Sequence, residues 1–211
     1  MMPISTEQRT FNGVARQCLY FVLLIGVVCA LWPLTHILGR DLFYENGLLE
    51  NFQCFVLMTA ALLFFFDALR IKSYRIILLG LASICVLGIF RETDAFWDEA
   101  LPCISWRIGF IAPITVALYA FKERKKIKEG LYHFFESPAF YMMINAMVVV
   151  IPVAQCIGHK PLIEDITGNI DMSIIRSIRR MIEESCELCG YILILCSAIE
   201  IFFNLSFPRK K

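Results

Sequence analysis

The sequence predicts an all-α integral membrane protein with six transmembrane helices and both termini in the cytoplasm. Hydrophobic residues make up 58% of the 211 positions, and the mean hydropathy is +0.66, well above that of a soluble domain. The apolar residues come in runs close to the length of about 20 residues that a helix needs to cross a bilayer. Lys and Arg gather in alternate connections between these runs, which is the pattern of a multi-pass protein.

Six apolar runs define the predicted spans, and we divide the chain accordingly. The first run could be taken for a signal peptide, but its length and its Trp32-Pro33 interruption favour a retained anchor. The third run is short unless the charged stretch 91–98 that follows it is also helical. We therefore expect a cytoplasmic leader at 1–17, a single membrane domain at 18–205 and a basic cytoplasmic tail at 206–211. The spans are Cys18–Leu38, Leu48–Leu69, Ile76–Phe90, Leu101–Phe121, Ala139–Ile157 and Ile182–Leu205.

The positive charges set the predicted orientation. Thirteen of the 20 Lys and Arg residues lie in the leader, in the connections after the second and fourth spans, and in the tail. Because such clusters stay on the cytoplasmic side, both termini are expected inside. Six of the remaining seven cations are arginines, whose planar fork suits paired, partly buried positions. We expect a multi-pass protein of a bacterial inner membrane.

This topology brings charged residues from four distant segments to the outer face. The second span begins near E-N-G-L-L-E, the third ends with R-E-T-D, the fourth opens near Trp106-Arg107, and the sixth is preceded by a long charged stretch. An ionised side chain near the bilayer centre costs about 2.5 to 3.5 kcal/mol, so these residues should face protein or water. We expect them to line an outward-facing polar cavity formed by Glu45, Glu50, Arg91, Glu92, Asp94, Arg107, Arg180, Glu183 and Glu187.

The last charged stretch forms a polar stripe on its helix. At 100° per residue, its stripe residues fall within about 80° of one another, with Arg179 and Glu184 beside them. Arg179/Glu183 and Arg180/Glu184 are also ordinary i,i+4 neighbours, so the charges are equally compatible with simple structural pairing. The stripe residues are Arg176, Arg180, Glu183, Glu187 and Tyr191.

Three short stretches carry a resemblance to known proteins. The stretches E-N-G-x-x-E, R-E-x-D and E-E-x-x-E-L-x-G-Y, each at an outer span end, resemble those of small multi-spanning bacterial membrane proteins of unassigned activity. The resemblance is confined to these stretches. It implies that the acids belong to one site, and it implies no reaction.

Three ligand chemistries fit such a site. A hard divalent cation would use the carboxylate oxygens of several glutamates and Asp94. Crowded carboxyl groups also favour protonation, so one of Glu183, Glu184 and Glu187 could hold a proton near neutral pH. The arginines could instead bind an anionic phosphate or lipid headgroup.

Several other chemistries are excluded or disfavoured. A di-iron site is not predicted, because no span carries a Glu-x-x-His pair. An intramembrane prenyl protease would need an arginine four residues after Glu184, where Leu188 stands. The Cys186-x-x-Cys189 pair is more consistent with packing than with redox activity. Nucleotide-binding loops and nucleic-acid surfaces are absent, so no nucleic-acid partner is expected.

The predicted function is binding of a small charged ligand, either a cation or proton or an anionic headgroup, in transport or sensing. One alternative is a membrane enzyme that acts on a lipid or peptide at the outer leaflet, with a glutamate as general base or metal ligand. Another is a structural subunit whose charged stripe docks the span of a partner membrane protein. A divalent cation is the cofactor that the acids would accept, and the lipid bilayer is the expected surrounding.

Overall fold

The computed structural model of the chain describes residues 6–44, 47–101, 103, 105–157 and 172–206. Within these ranges 93% of the residues are helical and none lies in a β-strand. The predicted all-α class is therefore confirmed. The site prediction for Glu45 falls on a residue outside the described ranges.

Nine α-helices are found in the described ranges. Two 3-10 segments, Gly39–Phe43 and Ser105–Phe110, precede α2 and α5 respectively. A π-helical turn, Val149–Val153, separates α7 from α8. The helices are α1 (Thr6–Leu38), α2 (Leu48–Arg70), α3 (Arg75–Glu92), α4 (Asp94–Ala100), α5 (Ile111–Lys122), α6 (Arg124–Phe135), α7 (Pro138–Val148), α8 (Ala154–Ile157) and α9 (Met172–Ser206).

Local sequence signals explain several of the helix boundaries. Gly39 follows α1 with a φ of +62°, a left-handed conformation that glycine adopts without steric penalty. Ser137 caps α7, since its hydroxyl oxygen accepts a hydrogen bond from the Phe140 N–H at 3.2 Å, and Pro138 occupies the first helical position. Pro152 lies in the π-helical turn, where its missing N–H interrupts the regular α-helical hydrogen bonds.

In the described part of the chain, three helices are long and apolar enough to cross a membrane. These are Asn12–Leu38 within α1, Leu48–Arg70, which is α2, and Ser173–Phe203 within α9, with mean hydropathies of 2.3, 2.0 and 1.9. A fourth candidate is the pair α3 and α4, which is bent by 71° at its junction. The remaining predicted spans coincide with shorter segments, namely the 3-10 turn with α5, and the apolar helix Pro138–Val153.

The core lies where α2 packs against α3 and α9. Phe64, Leu57, Leu78 and Ile192 are almost fully buried there. Small residues allow close approach of the helices, as is common in membrane proteins. Gly190 of α9 is an example, because a Cβ at this position would overlap Val150 of the π-helical turn.

Helix α1 forms a polar contact with α9 near its N-terminal end, in addition to the packing of Leu24, Val27 and Leu31 against the core. Its most apolar 18-residue window has no buried residue, whereas Tyr20 is buried. The Arg16 guanidinium donates two hydrogen bonds of 3.0 Å to the Glu200 carboxylate of α9, and the Tyr20 hydroxyl donates a third of 3.0 Å. Glu200 is 1% exposed, so its charge is balanced by Arg16 rather than by water.

Candidate functional site

Charged and polar side chains from α2, α3 and α9 meet at the end of the molecule where α2 begins and α3 ends. Most of them are buried, although they belong to residue types that are rarely buried without partners. We call this group the carboxylate cluster. Its members are Glu50, Gln53, Arg91, Glu92, Arg180, Glu184, Glu187 and Tyr191.

Helical spacing places the cluster residues on single faces of their helices. Glu50 and Gln53 are one turn apart on α2. On α9 the four cluster residues, from Arg180 to Tyr191, fall within about 60° of one another at 100° per residue. Arg91 and Glu92 are the last two residues of α3, which bring the end of that helix into the group.

Arg180 joins α9 to α2. Its Nη2 donates to Glu50 Oε1 at 2.8 Å, and its Nε lies 3.8 Å from Glu184 Oε1 on the next turn of α9. The side chains of Glu50 and Glu184 are both 11% exposed, so they have little contact with water. The Arg180 guanidinium therefore contributes positive charge next to two nearly buried carboxylates.

Arg91 and Tyr191 join α3 to α9. The Arg91 guanidinium donates to Glu187 Oε1, and its Nε lies 3.9 Å from Glu92 Oε1. The Tyr191 hydroxyl donates to the same Glu92 oxygen at 2.5 Å. Glu187 is 2% exposed and Glu92 8%, so both acids depend on these partners for stabilisation of any negative charge.

Gln53 is fully buried, and its amide oxygen has no partner among the described residues. Its Nε2 donates to the Glu184 backbone oxygen at 3.0 Å and to Glu184 Oε2 at 3.2 Å. Its Oε1 is buried and accepts no hydrogen bond within the described residues. A buried amide oxygen in this position is free to bind a proton donor or a cation.

Three carboxylates of the cluster are close enough to share one ion. One oxygen from each of Glu92, Glu184 and Glu187 lies within 4.8 Å of the other two, and all three residues are buried. Carboxylate oxygens are the ligands that Ca²⁺, Mg²⁺ and Mn²⁺ prefer. The described members of the cluster include four acids and two arginines, so within the described residues the acids are in excess.

Five of the predicted site residues come together in this cluster. They are Glu50, Arg91, Glu92, Arg180 and Glu187. The other predicted residues lie elsewhere: Glu183 lies at the edge of the α9 stripe and pairs with Arg179 at 3.9 Å. Asp94 is exposed because it begins α4 after the bend, and Arg107 is exposed on the 3-10 segment before α5.

Sequence reasoning left Gln53, Glu184 and Tyr191 out of the predicted site. Leu188 follows Glu184 by one helical turn, so the two residues lie on the same face of α9. Because Leu188 is buried, this face is the one that packs against the core. The spacing predicts that Tyr191 lies on the stripe, but it does not indicate that Glu92 is its partner. Gln53 is a polar residue within an apolar span. Such a residue indicates a polar partner inside the protein.

A cavity at the other end of α3 is separate from the cluster. It has a volume of about 300 Å³, and Lys72, Arg75, Tyr119 and Glu123 are among its lining residues. Arg75 begins α3 and Glu92 ends it, so this cavity and the cluster lie at opposite ends of the helix.

All nine cysteines are free, and Cys186 and Cys189 are partly buried. Their thiols are therefore not joined to each other. Comparison with protein-family models, curated proteins and solved structures finds no match to this chain.

Proposed function

We propose that this chain is a multi-pass protein of a bacterial inner membrane that binds a small cation, a proton or a divalent metal ion, at the carboxylate cluster. The binding would serve transport or sensing. In this proposal the chain has six spans, both termini are cytoplasmic, and the cluster faces outward.

The relative direction of α2 and α9 supports this topology. The pairs Glu50–Arg180 and Gln53–Glu184 advance together along both helices, so α2 and α9 run in the same direction. Two spans that run in the same direction need an odd number of crossings between them. The six-span proposal supplies three: α3, the segment 105–122 and the segment 138–157.

Excess buried negative charge is the observation that carries the functional proposal. Glu50, Glu92, Glu184 and Glu187 are 9% exposed or less, and among the described ion pairs the arginines that contact them are Arg91 and Arg180. Ionised carboxylates without compensation are strongly destabilising away from water. A bound divalent ion, or protons on the carboxyl groups, would remove the excess.

The arginine contacts favour a cation over an anionic headgroup. Arg91 donates to Glu187, and Arg180 donates to Glu50. A phosphate bound to these guanidinium groups would compete with carboxylates that are themselves buried. It would add negative charge to a group that already has more acids than arginines.

Thermal unfolding of the purified protein tests the proposal. Melting temperature is measured from about pH 5 to about pH 8.5, with and without millimolar Mg²⁺, Ca²⁺, Mn²⁺ or Zn²⁺. A folded state that holds protons which the unfolded state releases loses stability as pH rises, so we expect the melting temperature to fall across neutral pH. A divalent ion that binds the folded state should raise it again.

Glu187→Gln should weaken both responses, whereas Glu99→Gln, at an exposed acid of α4, should leave them unchanged. A melting temperature that is constant across this pH range and insensitive to all four ions would contradict the proposal. The anionic-headgroup and partner-docking hypotheses would then be favoured.

A further inference from the structure

We infer that Glu92, Glu184 and Glu187 together with Gln53 Oε1 form a binding site for one hard divalent cation of the Ca²⁺ or Mn²⁺ class. This inference rests on the proposed function, because it names the ligand class for the same cluster. It also adds Gln53 as a neutral ligand.

The spacing of the carboxylate oxygens fits a single coordination sphere. Oxygen ligands lie about 2.3 to 2.6 Å from Ca²⁺, so two oxygens on opposite sides of the ion are about 4.6 to 5.2 Å apart. The three carboxylate oxygens lie within 4.8 Å of one another. Separations of this size are close to those between oxygens that share one Ca²⁺ ion, so adjustment of the side chains would bring all three into contact with it.

The amide of Gln53 provides an independent indication of a ligand. The Gln53 side chain is 0% exposed, and its Nε2 is held by the backbone oxygen and the carboxylate of Glu184. Oε1 belongs to the same amide group as the Nε2 that contacts Glu184, and it has no hydrogen-bond donor among the described residues. Amide oxygens are common ligands of Ca²⁺.

Rotation of the amide does not remove the unpartnered oxygen. If Oε1 and Nε2 were exchanged, the oxygen would face two acceptors of Glu184, and the interaction would be repulsive. The orientation with Nε2 toward Glu184 is therefore the favourable one. A cation would satisfy the remaining Oε1.

Each carboxylate in the site also has a partner that orients it. Arg91 donates to Glu187, Tyr191 donates to Glu92, and Gln53 Nε2 donates to Glu184. A carboxylate has two oxygens and several lone pairs, so such a contact leaves capacity for a metal bond. Outer partners of this kind hold metal ligands in position in many proteins.

The charge balance agrees with a divalent ion. Glu50, Glu92, Glu184 and Glu187 contribute four negative charges when ionised, and Arg91 and Arg180 contribute two positive charges. One divalent ion would balance the charges of these six described side chains. The all-oxygen donor set favours a hard cation.

Direct binding of Mn²⁺ to the full chain in detergent tests the inference. Equilibrium dialysis and electron paramagnetic resonance should detect one Mn²⁺ per chain, displaced by excess Ca²⁺. Gln53→Leu removes the amide oxygen with little change in side-chain size and should weaken Mn²⁺ binding by about 10-fold or more. Glu184→Gln should weaken it further.

Matched variants separate loss of a ligand from loss of the fold. Asn51→Leu changes an exposed amide on the same helix and should leave Mn²⁺ binding unchanged. If Gln53→Leu does not fold, Gln53→Met replaces it, and metal-free melting curves identify folded variants. Mn²⁺ binding that is unchanged in folded Gln53→Leu and Glu184→Gln would overturn the inference.

The outcome also distinguishes this inference from the broader proposal. If wild-type protein binds neither Mn²⁺ nor Ca²⁺ at millimolar concentration but its melting temperature still falls across neutral pH, the metal site is overturned and proton binding remains. If both responses are absent, the inference and the proposed function fail together.

Discussion

The Arg91–Glu187 contact shows how the cluster depends on individual residues. Glu187 is 2% exposed, whereas the Arg91 side chain is 36% exposed and can reach water. Removal of the arginine would leave a buried carboxylate without its main partner. Removal of the carboxylate would leave an arginine that still reaches solvent and the neighbouring Glu92.

We predict unequal effects of the two substitutions in this pair. Arg91→Gln should lower the free energy of unfolding by about 3 kcal/mol, because the buried Glu187 carboxylate loses its charged partner. Glu187→Gln should have a smaller effect, since it also removes one of four crowded acids. Reversible unfolding in detergent measures both changes.

The control for this prediction is Arg179→Gln. The Arg179 side chain is 40% exposed and lies 3.9 Å from Glu183, so its loss should change the free energy of unfolding by about 1 kcal/mol or less. Equal destabilisation by Arg91→Gln and Arg179→Gln would contradict the account of the buried pair.

Residue spacing does not predict which of the two neighbouring acids, Glu183 or Glu184, joins the carboxylate cluster. Helical spacing placed Arg180, Glu187 and Tyr191 on one stripe of α9, and Glu183 and Glu184 lie on opposite edges of that stripe. The outcome is decided by packing: Leu188 and Tyr191 face the core on the side of Glu184, and the other edge pairs Glu183 with Arg179. The orientation of α9 about its own axis depends on its contacts with α2 and α3. These contacts cannot be predicted from residue spacing alone.

Close contact between α9 and the π-helical turn is the main feature at the element scale. A Cβ on Gly190 would overlap Cγ2 of Val150 and lie 3.2 Å from the carbonyl oxygen of Ala146. The helices can therefore approach closely only because this residue is glycine. In a membrane, where apolar surfaces gain little from leaving lipid, such packing contributes directly to association.

We predict that Gly190→Ala lowers the free energy of unfolding by about 1 to 3 kcal/mol, the usual effect of excess volume in a packed core. Gly80→Ala in α3 is the control, because a Cβ there meets nothing within 4 Å. It should be neutral or stabilise by up to about 1 kcal/mol through helix propensity. Unfolding curves of both variants, together with Gly190→Ala/Val150→Ala, provide the measurement. Failure of the added Val150→Ala to restore stability would count against the steric explanation.

Long uninterrupted helices are the elements that the sequence predicts best. The predicted spans Cys18–Leu38 and Leu48–Leu69 agree closely with the apolar helices at Asn12–Leu38 and Leu48–Arg70. The helices of region 139–157 are harder to predict, because Pro152 and the π-helical turn interrupt the regular α-helix. The 71° bend after α3 likewise depends on tertiary packing, so the sequence pattern indicated a charged continuation but not its direction.

Topology is the property of the whole molecule on which the outward-facing cluster depends. We predict that native Cys103, which is exposed between α4 and α5, reacts with an impermeant thiol reagent added outside intact cells. A cysteine placed at exposed Lys128 of α6, in a chain with Cys103→Ser and Cys156→Ser, should react only after the membrane is permeabilised. Labelling of residue 128 from outside would reverse the proposed orientation.

Infrared spectroscopy of the carboxyl groups tests the central claim most directly, namely that a proton or a cation balances the buried acids. Cation-free protein at neutral pH should show the C=O stretch of a protonated carboxyl group, and saturating Mn²⁺ or Ca²⁺ should convert it to carboxylate bands. Glu184→Gln should weaken this change, while Glu99→Gln should not. A spectrum with only ionised carboxylates in cation-free protein, unchanged by either ion, would contradict the account.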